Sequence, residues 1–100
     1  MFIHSVYFWL KPGISDEDEA AFKRELAALG DIESLRSIHI GTSAPSDRPV
    51  VDTSYSYALI TIFDDSAAHD AYQVHPVHDR FRQRCEAFWE RVLIYDVETQ

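Results

Sequence analysis

The stretch Tyr72-Gln73-Val74-His75-Pro76-Val77-His78 sets a phenol and two imidazoles around a proline. A neutral imidazole can take a proton from carbon next to a carbonyl at pH 7. A phenol can donate a hydrogen bond to that carbonyl as negative charge builds on it. A further imidazole, His4, interrupts the otherwise apolar face of the first ten residues. Tyr72 as donor, His78 as base and His4 as a group holding the imidazole or the substrate would make a cofactor-free acid/base site. The same residues also admit a structural role. In that reading His78 bonds a backbone carbonyl and Tyr72 is a core aromatic with a wet hydroxyl.

These side chains need elements to position them. Pro76 has a fixed φ and no N–H, which suits the first turn of a helix, and it pushes residue 75 away from helical geometry. One helix therefore ends near Tyr72 or Gln73 and another runs from Pro76 to about Trp89. At about 100° per residue, His78 shares an arc with Phe81, Cys85, Phe88 and Trp89, the predicted buried face. His75 is expected at the turn surface as a helix cap, with His39 and His69 facing solvent. Residues 2–10 read as a strand covered on both faces. Ser15-Asp16-Glu17-Asp18 resembles a capping box that opens a helix with Phe22, Leu26 and Leu29 as its stripe, and Gly30 is a stop. Strands follow at about Leu35 to Gly41, Ser54 to Phe63 and Val92 to Val97. The loop from Thr42 to Asp52 is either mobile or a rim over a pocket.

The order β-α-β-β-α(α)-β is an α+β, ferredoxin-like arrangement, with a four-stranded antiparallel sheet and helices on one face. The other face, with Tyr7, Trp9, Ala58, Ile60 and Ile62, is too apolar for a monomer. Two sheets packed face to face across a two-fold axis would cover it, so an obligate homodimer is expected. A pocket between sheet and helices would be walled by His4, Val6 and Phe8 of the first strand, Tyr57 and Leu59 of the third, and Trp89. Such walls suit a small apolar or aromatic carbonyl compound.

One hundred residues, 46% of them apolar, make one domain, residues 1–100. The net charge of −8 argues against nucleic acid and against an anionic membrane surface. A lone cysteine, Cys85, fits a reducing compartment, and no basic n-region or long apolar run points to export or a membrane span. A cytoplasmic protein is expected. A metal set of His4, His75 and His78 lacks ligand spacing, and no haem-attachment motif or phosphate loop is present, so no metal and no cofactor are expected.

The sequence resembles the stress-responsive dimeric α/β-barrel (Dabb) family over nearly its whole length. The carriers are His4, Phe8-Trp9-Leu10-Lys11, Ile40-Gly41, Tyr57-Ala58-Leu59, the Tyr72-x-x-His75-Pro76-x-His78 element with Phe81, Phe88-Trp89-Glu90 and Ile94-Tyr95-Asp96. The resemblance implies a homodimer whose two sheets close into a central barrel. From Tyr72 to Asp96 the chain is similar to the family's plant olivetolic acid cyclase, which closes a polyketide chain without a cofactor. That similarity implies catalytic roles for Tyr72 and His78 and a pocket place for His4. A pocket histidine of the third strand is replaced by Tyr57, and a pocket tyrosine of the first helix has no counterpart near Leu26 or Ala27. If the chain is an enzyme, the resemblance implies a cofactor-independent, polyketide cyclase-like lyase or isomerase. The alternative is a non-enzymatic, stress-associated dimer or assembly protein.

Overall fold

The computed structural model describes residues 1–100. The chain runs β1 (Phe2–Leu10), α1 (Asp16–Ala28), β2 (Ser37–Gly41), β3 (Tyr57–Phe63), α2 (Ser66–Gln73), α3 (Pro76–Cys85) and β4 (Trp89–Glu98). Short 3-10 turns follow α1 and α3. The four strands form one antiparallel sheet in the order β2-β3-β1-β4, the ferredoxin-like arrangement.

Local chemistry sets the helix ends. Ser15 caps α1 by accepting from the Asp18 amide, and four acids occupy the first turn, where the helix dipole favours them. Asp65 caps α2 through the Ala68 amide. His75 caps α3, its Nδ1 accepting from the Val77 amide at 3.1 Å, and Pro76 takes the first helical position. The chain leaves α1 through the 3-10 turn Leu29–Asp31, and Gly30 needs no positive φ there.

The helices cover one face of the sheet only. Phe2, Val6 and Phe8 of β1 and Leu59 and Phe63 of β3 pack against Phe22, Leu26 and Leu29, Tyr72, and Phe81 and Cys85. Burial pushes the Cys85 thiol up to about 11, so it is an inert apolar filler. The thinnest dimension, 17 Å, leaves room for one sheet and one helix layer. The outer face carries an aromatic row, with Tyr7 against Tyr55 and Tyr95, and Arg91 over the Trp9 ring at 4.1 Å. Tyr95 is 58% and Val97 47% exposed.

Two expectations change. The last helix stops at Cys85, and Trp89 opens β4 instead of closing a helix. Trp89-Glu90-Arg91-Val92-Leu93-Ile94-Tyr95 is rich in β-formers, and Trp89 pairs with Leu10 past a register shift that leaves Glu90 of β4 unpaired. The third strand begins at Tyr57, three residues after the expected Ser54. Ser54 accepts from the Trp9 indole at 3.0 Å and Tyr55 lies on Tyr7, which ties this end of the loop to the outer face.

Candidate functional site

A cavity of about 700 Å³ lies between the sheet and the helices. Its floor is apolar: Val6 and Phe8 of β1, Leu59 of β3, Val92 and Ile94 of β4. The register pairs Val6 with Ile94 and Phe8 with Val92, so all of these point to the helix side. Phe81 and Trp89 stack at 5.9 Å to close one wall. Val92 and Ile94 stay 41% and 49% exposed, because the helix layer does not reach the β4 edge and the cavity opens there.

Three polar groups enter this apolar space: Tyr72 from the last turn of α2, His78 from the first turn of α3, and His4 from the centre of β1. The Pro76 junction brings the first two together, their rings crossing edge-on at 4.9 Å. Tyr72 is 1% exposed, and burial raises its phenol well above the ordinary range. It therefore stays protonated at neutral pH, which leaves its hydroxyl able to donate a hydrogen bond. Burial holds the His78 imidazole below its ordinary value, with Arg82 and His4 adding to the effect. His78 is thus neutral at pH 7, as a proton acceptor must be. Its Nδ1 is occluded and has no partner, so no backbone carbonyl anchors that atom as the structural role required.

His4 is held from the opposite side. Its Nδ1–H donates to Asp96 Oδ1 at 2.5 Å across the β1–β4 pair. This carboxylate fixes the ring orientation, as in histidine–carboxylate pairs generally. Asp96 was not among the residues expected to act. It lies 92 positions from His4, and only the strand register joins them.

Of the expected lining, His4, Val6, Phe8, Leu59 and Trp89 are in place. Tyr57 is not. Its hydroxyl donates to Glu19 Oε1 at 3.1 Å and its ring packs on Phe22, which turns it toward α1 and away from the cavity. Gln73, Arg82 and Glu86 line the cavity as well and make its polar fringe. His39 is exposed, as expected. His69 is not. It is 4% exposed, lies parallel to the Phe2 ring at 4.5 Å and contacts the His4 ring at 4.5 Å. His69 falls on the inward arc of α2 with Tyr72 three residues on, a spacing that could have placed it inside.

No helix is long and apolar enough to cross a membrane. The family model described as "Stress responsive A/B Barrel Domain" matches residues 2–99. No curated protein matches the chain. Among solved structures, the chain is similar to the Arabidopsis thaliana protein At3g17210, at 21% identity and a TM-score of 0.83, covering 100% of this chain and 96% of that one. A dimeric ferredoxin-like protein of unknown function from Jannaschia sp. gives 24% identity and a TM-score of 0.78, covering 98% of both chains. A hydroxynitrile lyase from Passiflora edulis gives 16% identity and a TM-score of 0.79, covering 99% of this chain and 93% of that one.

Proposed function

Because the chain belongs to the stress responsive A/B barrel domain family, we propose that it binds a small apolar or aromatic carbonyl compound in the cavity between sheet and helices and moves a proton on it. The observation that carries this reading is the convergence of a neutral imidazole, His78, and a protonated phenol, Tyr72, in an apolar cavity, at a ring distance of 4.9 Å. A carbonyl seated on Phe8 and Leu59 would take its hydrogen bond from the Tyr72 hydroxyl. His78 Nε2 would accept the proton from the adjacent carbon. The resulting enolate is stabilised by that phenol; in a ligand with a second carbonyl its carbon can attack that carbonyl to close a ring, and the proton held on His78 passes to the new alkoxide, without an organic cofactor. His4, braced by Asp96, would orient the ligand. A hydroxynitrile lyase on the same fold is consistent with small-molecule chemistry.

The working form in this reading is a homodimer. The outer sheet face, with Tyr7, Trp9, Ile60, Ile62, Tyr95 and Val97, has no helix over it. A second copy of that face is its natural cover, and the dimeric ferredoxin-like neighbour supports this.

The test is a thermal-shift and calorimetric titration with aryl ketones, aldehydes and 1,3-dicarbonyl compounds against hydrocarbons of equal size. The carbonyl compounds should raise Tm and bind more tightly in wild type than in His78→Ala. Failure of every carbonyl compound to bind at millimolar concentration would overturn the reading.

A further inference from the structure

His4, His69 and Asp96 are brought together by three different elements, β1, α2 and β4. One ligand atom from each lies within 4.8 Å of the other two. We propose that these three side chains form a binding site for a divalent transition metal of the zinc class.

The strongest observation is His69. A buried polar atom ordinarily has a hydrogen-bond partner, yet His69 Nε2 is fully occluded and has none. The residue is 4% exposed, so water from the surface does not satisfy it. Its other nitrogen, Nδ1, lies 3.4 Å from Gln73 Nε2, and turning that amide over would set its oxygen there instead. With the amide oxygen turned to the ring, Nδ1–H donates to it and the Nε2 lone pair is free. The two amide orientations have the same shape, so hydrogen bonding alone selects between them. An outer partner of this kind is what metal-bound histidines ordinarily have.

The second observation is the pair beside it. His4 is 6% exposed and holds Asp96 at 2.5 Å. An ion would take the place of the proton between them. Ligands at about 2.0–2.2 Å from zinc stand about 3.3 Å apart in a tetrahedron. The cluster must therefore contract by up to about 1.5 Å, through small rotations of the His4 and His69 rings, with the 44% exposed Asp96 side chain turning to follow them. Phe2 covers the His69 ring and keeps this end of the site dry. Two imidazoles and one carboxylate select zinc and its neighbours over magnesium and calcium, which demand oxygen. A water would complete the set on the exposed Asp96 side.

His78 and Tyr72 are outside this set, while His4 and Asp96 are shared with the carbonyl reading, so the ion is titrated with no carbonyl compound present and its failure leaves the roles of His78 and Tyr72 untouched. The experiment is stripping the full chain with chelator, then titrating with zinc by calorimetry and with cobalt by visible absorption. One ion per chain should bind, with the ligand-field bands of a tetrahedral cobalt site. His69→Ala should weaken binding at least about 100-fold. Asp96→Asn, a surface-side change that leaves the core packing alone, should weaken it as well and guards against a folding defect in the first variant. His75→Asn, which keeps a cap on α3 and removes a histidine outside the cluster, should bind as wild type does. Less than one tenth of an ion per chain, or binding unaffected by both His69→Ala and Asp96→Asn, would overturn the site.

Discussion

Tyr72→Phe removes one oxygen and leaves the ring that packs against Phe63 and His78 at 5.1 and 4.9 Å. The Tyr72 hydroxyl borders the cavity and is absent from the chain's own hydrogen-bond network. No protein hydrogen bond is therefore lost, and no cavity of side-chain size is created. The unfolding free energy should change by less than about 1 kcal/mol and can rise, since an imperfectly satisfied polar group leaves the interior. Catalysis should respond very differently. A donor aimed at developing negative charge is worth about 10²–10³ in turnover, or about 2.7–4 kcal/mol. Binding of the ground-state carbonyl should weaken only about 2- to 10-fold, the worth of one neutral hydrogen bond. The assay pairs urea unfolding of both proteins with calorimetric binding of an aryl ketone and with turnover of any enolisable carbonyl substrate accepted by wild type. Unchanged binding and unchanged turnover in Tyr72→Phe would refute the role given to the phenol. A loss of about 2 kcal/mol or more in stability would refute it too, by showing that the hydroxyl belongs to the fold.

His78→Ala should lower turnover by about 10²–10⁴ while the protein still folds cooperatively by circular dichroism. His78 is held below its unfolded value of 6.5 by burial, so below that pH the unfolded chain binds the proton first. Stability from this residue is complete above 6.5 and lost as pH falls through the lowered value, and a urea series across pH 7 to 5 should show a smaller loss in His78→Ala. Ile60→Glu places a charge on the outer sheet face. If that face is paired it should weaken association by about 3 kcal/mol or more, read as a monomer in sedimentation velocity, whereas a wild-type monomer at micromolar concentration would dispose of the dimer. Tyr57→Phe loses only the bond to Glu19, so it should cost about 0.5–1.5 kcal/mol in stability and leave carbonyl binding unchanged in calorimetry.

Local rules carried much of this fold to the reader of the sequence. The Pro76 junction, the Ser15 cap and the alternation in β1 each depend on neighbours a few residues apart, and each stands where the spacing put it. The errors arise where distant residues decide. Trp89 sits on the helical arc of Phe81 and Cys85, yet pairing with Leu10 draws it into a strand. Tyr57 lies on the inward face of β3, but Glu19 of α1 captures its hydroxyl. His69 looks like a polar residue on a short helix until Phe2 and His4 are placed beneath it. Asp96 meets His4 only through the register of β4 on β1. The approach of Tyr72 to His78 was legible because the two flank one proline. The His4, His69 and Asp96 cluster was not, because its members come from β1, α2 and β4 and have no fixed spacing.

The central claim is that His78 is a neutral base facing a carbonyl ligand in the cavity. Nitrogen-detected NMR of the His78 ring, followed across pH with and without a saturating aryl ketone, addresses it directly. The ring should be neutral at pH 7, titrate below 6.5, and shift at Nε2 when the ketone binds, with the shift reduced in Tyr72→Phe. A His78 ring that is protonated at pH 7, or one whose Nε2 signal ignores a bound ketone, would contradict the account.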